Sequence, residues 1–212
     1  MGAMYYKDRV EAGKSLAELL KGYKGQDIII YALPRGGVVI AGEIAQVLDC
    51  PLDLVITRKI PHPYSPEYAI GAVSESGEII VNPDESHFAG ETWFKERVEN
   101  EMREAKRRRK AYMRGESRQS AKNRIVIIAD DGVATGQSII LAAREIKKDN
   151  PQKIIIAVPV SPLDTAGRIM KECDEFVCPH VEEFFIGAVG AYYKNFDQVD
   201  DAEVIEILKK FI

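Results

Sequence analysis

RIVIIADDGVATGQSII, residues 124–140, is the stretch that decides how the chain folds. Its opening run is apolar, β-branched and short, which reads as a buried strand. The strand is expected to end near Asp130-Asp131, with a helix beginning near Gly136. Between them Gly132 and Gly136 permit a tight turn and a close approach of backbone to a ligand. Thr135 and Ser138 add hydroxyl donors, and the first N–H groups of the helix have no partner within it. Such a strand end is an anion site suited to a phosphate monoester. The nucleoside-triphosphate loop is a poor match, because the glycine spacing is one residue short and Gln137 occupies the lysine position.

The paired carboxylates answer a different need. Two acids beside a phosphate repel it unless they face something neutral. Neighbouring sugar hydroxyls fit, since each carboxylate accepts hydrogen bonds from them at charge-assisted strength. A phosphate in the loop and a diol on the acids together describe a ribose 5-phosphate. A receiver-like fold, with Mg²⁺ on the acids, is the alternative; it leaves the loop behind them unexplained.

Outward from this stretch, DIIIYAL (27–33), LDLVIT (52–57), KIIIAVPV (153–160) and DEFVCPH (174–180) read as further buried strands beside 124–130. They alternate with helix candidates at 37–48, 137–149 and 163–172. That alternation implies an α/β domain with a doubly wound, mostly parallel sheet. Residues 60–82 interrupt it with three early prolines and a hairpin-like AIGAVSESGEIIV turning at Ser76-Gly77. Residues 91–114 form a long helical pattern with Phe94, Val98, Met102, Ala105 and Tyr112 on one stripe. A single domain over 1–212 is expected, with the loops after Leu33, Thr57, Asp130 and Val160 facing the site.

Composition excludes several classes. With 29 basic and 33 acidic residues the chain carries −4, against bulk nucleic-acid binding. No apolar run reaches membrane-spanning length, and MGAMYYKDRV lacks the apolar core of a signal peptide. Cys50, Cys173 and Cys178 are an odd number, so reduced thiols and a cytoplasmic location are expected.

Val126 to Ser138, four apolar residues, two acids and then Thr-Gly-Gln-Ser, resembles the phosphoribosyl-diphosphate (PRPP) signature of the type I phosphoribosyltransferases. The resemblance implies that family's fold with a small hood and lid. It places the ribose hydroxyls on Asp130 and Asp131, wraps the 5′-phosphate in Val133, Ala134, Thr135, Gly136, Gln137 and Ser138, and counts Gly132 among the PRPP-binding residues. Members acting on 6-oxopurines usually carry aspartate where this chain has Ala134; alanine resembles the adenine-type members.

ALPRGGVVIAGEIA (32–45) resembles the family's diphosphate loop. Arg35 offers a planar fork of donors, and Gly36 and Gly37 allow backbone N–H groups to reach the same anion. A plain strand-to-helix turn is the alternative for that motif alone. Arg58 and Lys59 add charge at the same sheet edge. PHPYSPEYAIGA resembles in placement the family's mobile lid, with Tyr64, Ser65 and Glu67 as candidates to touch substrate.

The resemblance implies a phosphoribosyltransferase that uses PRPP with Mg²⁺ to place ribose 5-phosphate on a small nitrogenous base, releasing diphosphate. Arg35, Lys59, Asp130 and Asp131 would carry catalysis, with no protein metal ligands predicted. A homodimer is the family's habit. Membrane and nucleic acid are not expected as partners. A PRPP-sensing regulator of nucleotide metabolism genes is the alternative.

REAKRRRKAYMR (103–114) reads as the solvated face of a long helix, with an RNA or polyanion contact as the alternative. Cys173, Cys178 and His180 lack a second ligand pair and read as strand packing. His62 and His87 read as exposed. In EEFFIGAVGAYYKNF (182–196), Phe184 and Phe185 either stack on a flat acceptor base or serve the core or a subunit contact. The hood is expected from the N-terminus, 84–118 and 182–196, and its weak patterning leaves the acceptor undefined.

Overall fold

The computed structural model describes residues 4–81 and 90–211; His87 lies outside them, as does the side chain of Glu67. Five strands form one parallel sheet: β1 (Ile28–Ala32), β2 (Leu52–Leu54), β6 (Ile125–Ala129), β7 (Lys153–Ala157) and β9 (Glu175–Val177), in the order β2-β1-β6-β7-β9. Taken in chain order these five run 2-1-3-4-5, so the winding reverses between β1 and β6. The crevice at such a reversal is where ligands bind in open α/β sheets. It brings the loop after Ala32 beside the loop after Ala129.

The apolar runs are continuous because both faces of the sheet are covered. Side chains alternate across a strand. Ile28, Ile30 and Ala32 therefore join one core cluster while Ile29, Tyr31 and Leu33 join another. The first cluster is closed by α1 (Arg9–Leu20), α2 (Gly36–Leu48) and α6 (Asp201–Leu208); the second by α4 (Gln137–Lys147) and α5 (Leu163–Ile169).

A second, antiparallel sheet comprises β3 (Thr57–His62), β4 (Ser65–Ser74) and β5 (Ile79–Val81). The hairpin turns where expected, with Gly77 at φ 95°. Its base packs Ile60, Ile70 and Val73 against Val98 of α3 (Glu91–Tyr112), with Trp93, Phe94 and Met102 around them.

Several boundaries differ from the sequence reading. LDLVIT is two strands: Val55 still donates its N–H to Ala32, but Ile56 already accepts from Glu75 of the hairpin. An unbroken apolar run hides that transfer between sheets, because both sides of it are buried. The ends of 153–160 and 174–180 likewise leave the main sheet to form a parallel ribbon, β8 (Val160–Pro162) with β10 (His180–Glu182). Helix α1 has no counterpart in the sequence reading, although Asp8 caps it by accepting from Glu11 N–H and Ala12, Leu16, Ala17 and Leu20 share its buried side.

The run 103–114 is not simply a solvated face. Arg109 is turned inward, its Nε 2.6 Å from Glu75 and its Nη1 3.1 Å from Asp53, which is fully buried. Its Nη2 donates to the Leu54 carbonyl. This guanidinium ties α3 to β2 and to the hairpin turn. Arg109→Met leaves Asp53 buried without its counter-charge, a change that typically costs about 3–5 kcal/mol. Urea unfolding should show that loss; an unchanged midpoint would contradict the role given to Arg109.

Candidate functional site

The acids Asp130 and Asp131 end β6 at the reversal point. Asp130 Oδ1 accepts the N–H of Asp131 at 2.8 Å. Asp131 Oδ2 accepts from Arg9 Nε at 2.7 Å, and its carbonyl accepts from the Tyr193 hydroxyl at 2.6 Å. Arg9 is itself fixed on two further sides. Its Nη1 donates to the Asp197 carbonyl at 2.7 Å, and its guanidinium carbon lies 3.8 Å from the centre of the Phe196 ring. The sequence reading missed Arg9, Tyr193 and Phe196, which lie far from the acids in the chain.

The start of α2 presses directly on these acids. A Cβ on Gly36 would overlap the Asp131 carboxylate, and one on Gly37 would sit 2.9 Å from Asp130 Oδ1. Neither glycine has a positive φ, so close approach, and not an unusual backbone angle, is what excludes a side chain here. The Pro34–Arg35 peptide bond just before them is cis.

Burial and the Asp131 charge push the Asp130 carboxyl well above the ordinary carboxylate range, with Lys59 and Arg9 opposing. Burial also raises Asp131, against the pull of Arg9. An acid pair so perturbed by burial and by its own neighbouring charge is characteristic of a functional site.

Behind the acids the loop is shaped to present N–H groups. Gly132 takes φ 141° and Gly136 φ 72°, where a side chain would be strained and would strike Val189 or Thr165. The loop's carbonyls are held elsewhere: Ala134 accepts from Thr165 Oγ1 at 2.8 Å and Thr135 from Arg168 Nη2 at 3.0 Å. The N–H groups of Gln137, Ser138 and Ile139 open α4 and have no intrahelical acceptor. The positive end of the α4 dipole therefore lies at Gln137 and Ser138, an end that favours an anion.

A cleft of about 430 Å³ extends from there. Leu33, Pro34, Asp130 and Ser138 line one side, Thr57, Arg58 and Lys59 another, and Arg97, Glu101 and Arg108 of α3 the third. Lys59 is exposed, whereas Arg58 is engaged by Glu101 at 2.9 Å. Arg35 turns toward Asp201 of α6, with Nη1 3.4 Å from Oδ1, and is not among the cleft-lining residues.

The remaining candidates separate. Phe184 is 87% exposed, while Phe185 packs against the core 5.2 Å from Tyr192, so the two do not form one platform. Tyr64 and Ser65 are exposed on the hairpin. His62 is half-buried, its Nδ1 accepting the Tyr64 N–H at 3.2 Å, contrary to the exposed position expected. His180 stacks on Tyr5 at 3.7 Å. Burial pushes the Cys173 and Cys178 thiols up to about 11 and about 12. Among the described residues no group of three His, Cys, Asp or Glu side chains could hold a metal ion, and no helix is long and apolar enough to cross a membrane.

The model of the phosphoribosyl transferase domain family matches residues 6–194, from the N-terminal segment beside Asp131 through the Tyr193 that braces it. The chain belongs to the phosphoribosyl transferase family. Two Mycobacterium tuberculosis proteins, by name phosphoribosyl transferases of two strains, are 36% identical to it over 209 residues. The match covers 97% of this chain and 46% of each relative, so the chain spans about half their length. The crystal structure of TT1426 from Thermus thermophilus is 36% identical and superposes with a TM-score of 0.80, covering 98% of this chain and 99% of that one. A phosphoribosyl transferase domain therefore occupies most of the chain.

The electrostatics of the acid pair generate a test. A carboxyl raised above its unfolded-state value of 3.8 holds its proton more firmly when folded. The ligand-free protein therefore loses stability as pH rises from that value through the raised one. Asp130→Asn removes the penalty and keeps an acceptor for the Asp131 N–H. Its thermal midpoint should exceed wild type at pH 7, and the gain should fade toward pH 4. A variant less stable than wild type at pH 7 would contradict the strained-acid account.

Proposed function

We propose that this domain transfers ribose 5-phosphate from PRPP to a small nitrogenous base and releases diphosphate. The observation that carries the reading is the adjacency of two half-buried acids to a glycine-turned loop that ends in the free N–H groups at the start of α4. Asp130 and Asp131 accept hydrogen bonds from the ribose diol, and the loop Gly132–Ser138 with the start of α4 binds the 5′-phosphate. Gly36 and Gly37 bring the diphosphate loop against the acids. Lys59, Arg58 and Arg35 supply positive charge to the leaving group, Arg35 by exchanging its long contact with Asp201 for the ligand.

In the reaction the bond from the anomeric carbon to diphosphate breaks, and diphosphate departs with the bonding electrons. A lone pair on the acceptor nitrogen forms the new bond. No protein nucleophile is needed; the protein's part is to hold the sugar and meet charge that develops on the departing oxygens. The donor set suits a hard divalent cation that arrives with the diphosphate, since such ions keep several waters and take one or two carboxylates. Asp130, which lines the cleft, is the acid that would face Mg²⁺, and the ion would neutralise charge on the leaving group.

In the basic run Arg107 and Arg108 share Glu104 and Arg109 is held by Asp53 and Glu75, so these three charges are paired within the fold.

Diphosphate release measured with PRPP, Mg²⁺ and a panel of purines, pyrimidines and related heterocycles tests the proposal. At least one base should support turnover that requires both PRPP and Mg²⁺. With that base, Lys59→Ala should lower kcat about 10²–10³-fold, the usual effect of losing one preorganised charge-stabilising donor. Tight PRPP binding with no turnover on any base would favour the sensor instead.

A further inference from the structure

The long helix α3 supplies three charged side chains to the cleft that no motif in the sequence marks: Arg97, Glu101 and Arg108. At 3.6 residues per turn, positions 97, 101 and 108 fall within a narrow angular stripe. Glu101 is buried and holds Arg97 at 2.7 Å and Arg58 at 2.9 Å, which neutralises much of that end of the cleft. Arg108 lies three turns from Arg97, about 16 Å along the axis. It lies one turn before Tyr112, whose hydroxyl donates at 2.7 Å to Asp201, the carboxylate that Arg35 also approaches, so it stands at the diphosphate-loop end.

Three consecutive arginines here have different surroundings. Arg109 is engaged on all sides by Asp53, Glu75 and the Leu54 carbonyl. Arg107 is 59% exposed in its side chain and donates twice to Glu104, from Nε at 2.7 Å and Nη2 at 3.0 Å. Arg108 gives Glu104 only its Nε, at 2.9 Å, with its side chain 21% exposed. Its two terminal nitrogens have no acceptor among the described residues. Glu104 therefore fixes one nitrogen of a guanidinium whose side chain also lines the cleft.

We infer that Arg108 is a direct contact of the diphosphate group, supplied to the subsite by α3 and oriented by Glu104. Resting on the PRPP reading above, this adds a cation that neither loop motif contains. Arg35 is drawn away toward Asp201, and Arg58 is bound to Glu101. Arg108 and Lys59 are then the cleft-lining cations that the buried Glu101, shared by Arg58 and Arg97, does not hold. A guanidinium with two free terminal nitrogens can meet two phosphate oxygens at once, which a lysine cannot.

The test compares Arg108→Ala with Arg107→Ala in the full chain. Both remove one arginine from the same turn and one partner from Glu104, but only Arg108 faces the cleft. Calorimetry with ribose 5-phosphate, PRPP and inorganic diphosphate gives the readout. Arg108→Ala should weaken PRPP and diphosphate at least tenfold and leave ribose 5-phosphate within twofold of wild type. Arg107→Ala should leave all three within twofold. Unchanged ribose 5-phosphate binding also establishes that the variant site is folded. Equal effects of the two substitutions, or equal loss of all three ligands by Arg108→Ala, would overturn the assignment. If wild type bound diphosphate but no ribose phosphate, the PRPP reading itself would fail and the inference with it.

Discussion

Two carboxylates on consecutive residues, half-buried at the end of a strand, repel each other and resist losing water. Everything around Asp130 and Asp131 either creates that constraint or contains it. The central sheet creates it, because β6 is flanked on both sides and delivers the pair into a crevice. Arg9 contains it, by taking one oxygen of Asp131 while its own guanidinium lies over Phe196 and reaches the Asp197 carbonyl. Among the described residues Asp130 has no such ion-pair partner, and it is the acid pushed further from the ordinary carboxylate range. In the proposed function, a neutral diol with a cation nearby would relieve that conflict.

The same crevice explains why small residues matter where they do. Gly36 and Gly37 let the first turn of α2 meet the acids, and Gly132 and Gly136 let the next loop fold back under Val189 and beside Thr165. The loop is held in place by Thr165 and Arg168, which bind the Ala134 and Thr135 carbonyls, and by the Val133 N–H on the Val160 carbonyl. Opposite charges are thereby segregated within a few residues: acids at the strand end, amide dipoles just behind, and cations of β3 and α3 across the cleft.

Much of this was legible in the sequence because it is contiguous. A β-branched run, two acids and a loop of glycines, threonine and serine lie within seventeen residues, 124–140, and each implies its local geometry whatever the rest of the chain does. The strands of the main sheet were legible for the same reason, since Ile28–Ala32 and Ile125–Ala129 are buried on both faces and so unbroken. What escaped depends on separation in the chain. Arg9 meets Asp131 across 122 residues, and Tyr193 meets it across 62. Arg108 differs from its neighbours only by the side of the helix it occupies, which a run of identical charges conceals. The 52–57 run failed in another way: apolar continuity reports burial but not which sheet provides it. The signals for α1 were present in Asp8 and the spacing of Ala12, Leu16 and Leu20, but a face with so many small residues is a weak one.

The account is tested most directly by a crystal structure of the protein soaked with ribose 5-phosphate. It predicts density for the phosphate against the N–H groups of residues 135–138, and the sugar's vicinal hydroxyls within hydrogen-bonding distance of both Asp130 and Asp131. A sugar phosphate bound elsewhere, with the two acids still contacting only Arg9 and the backbone, would contradict it.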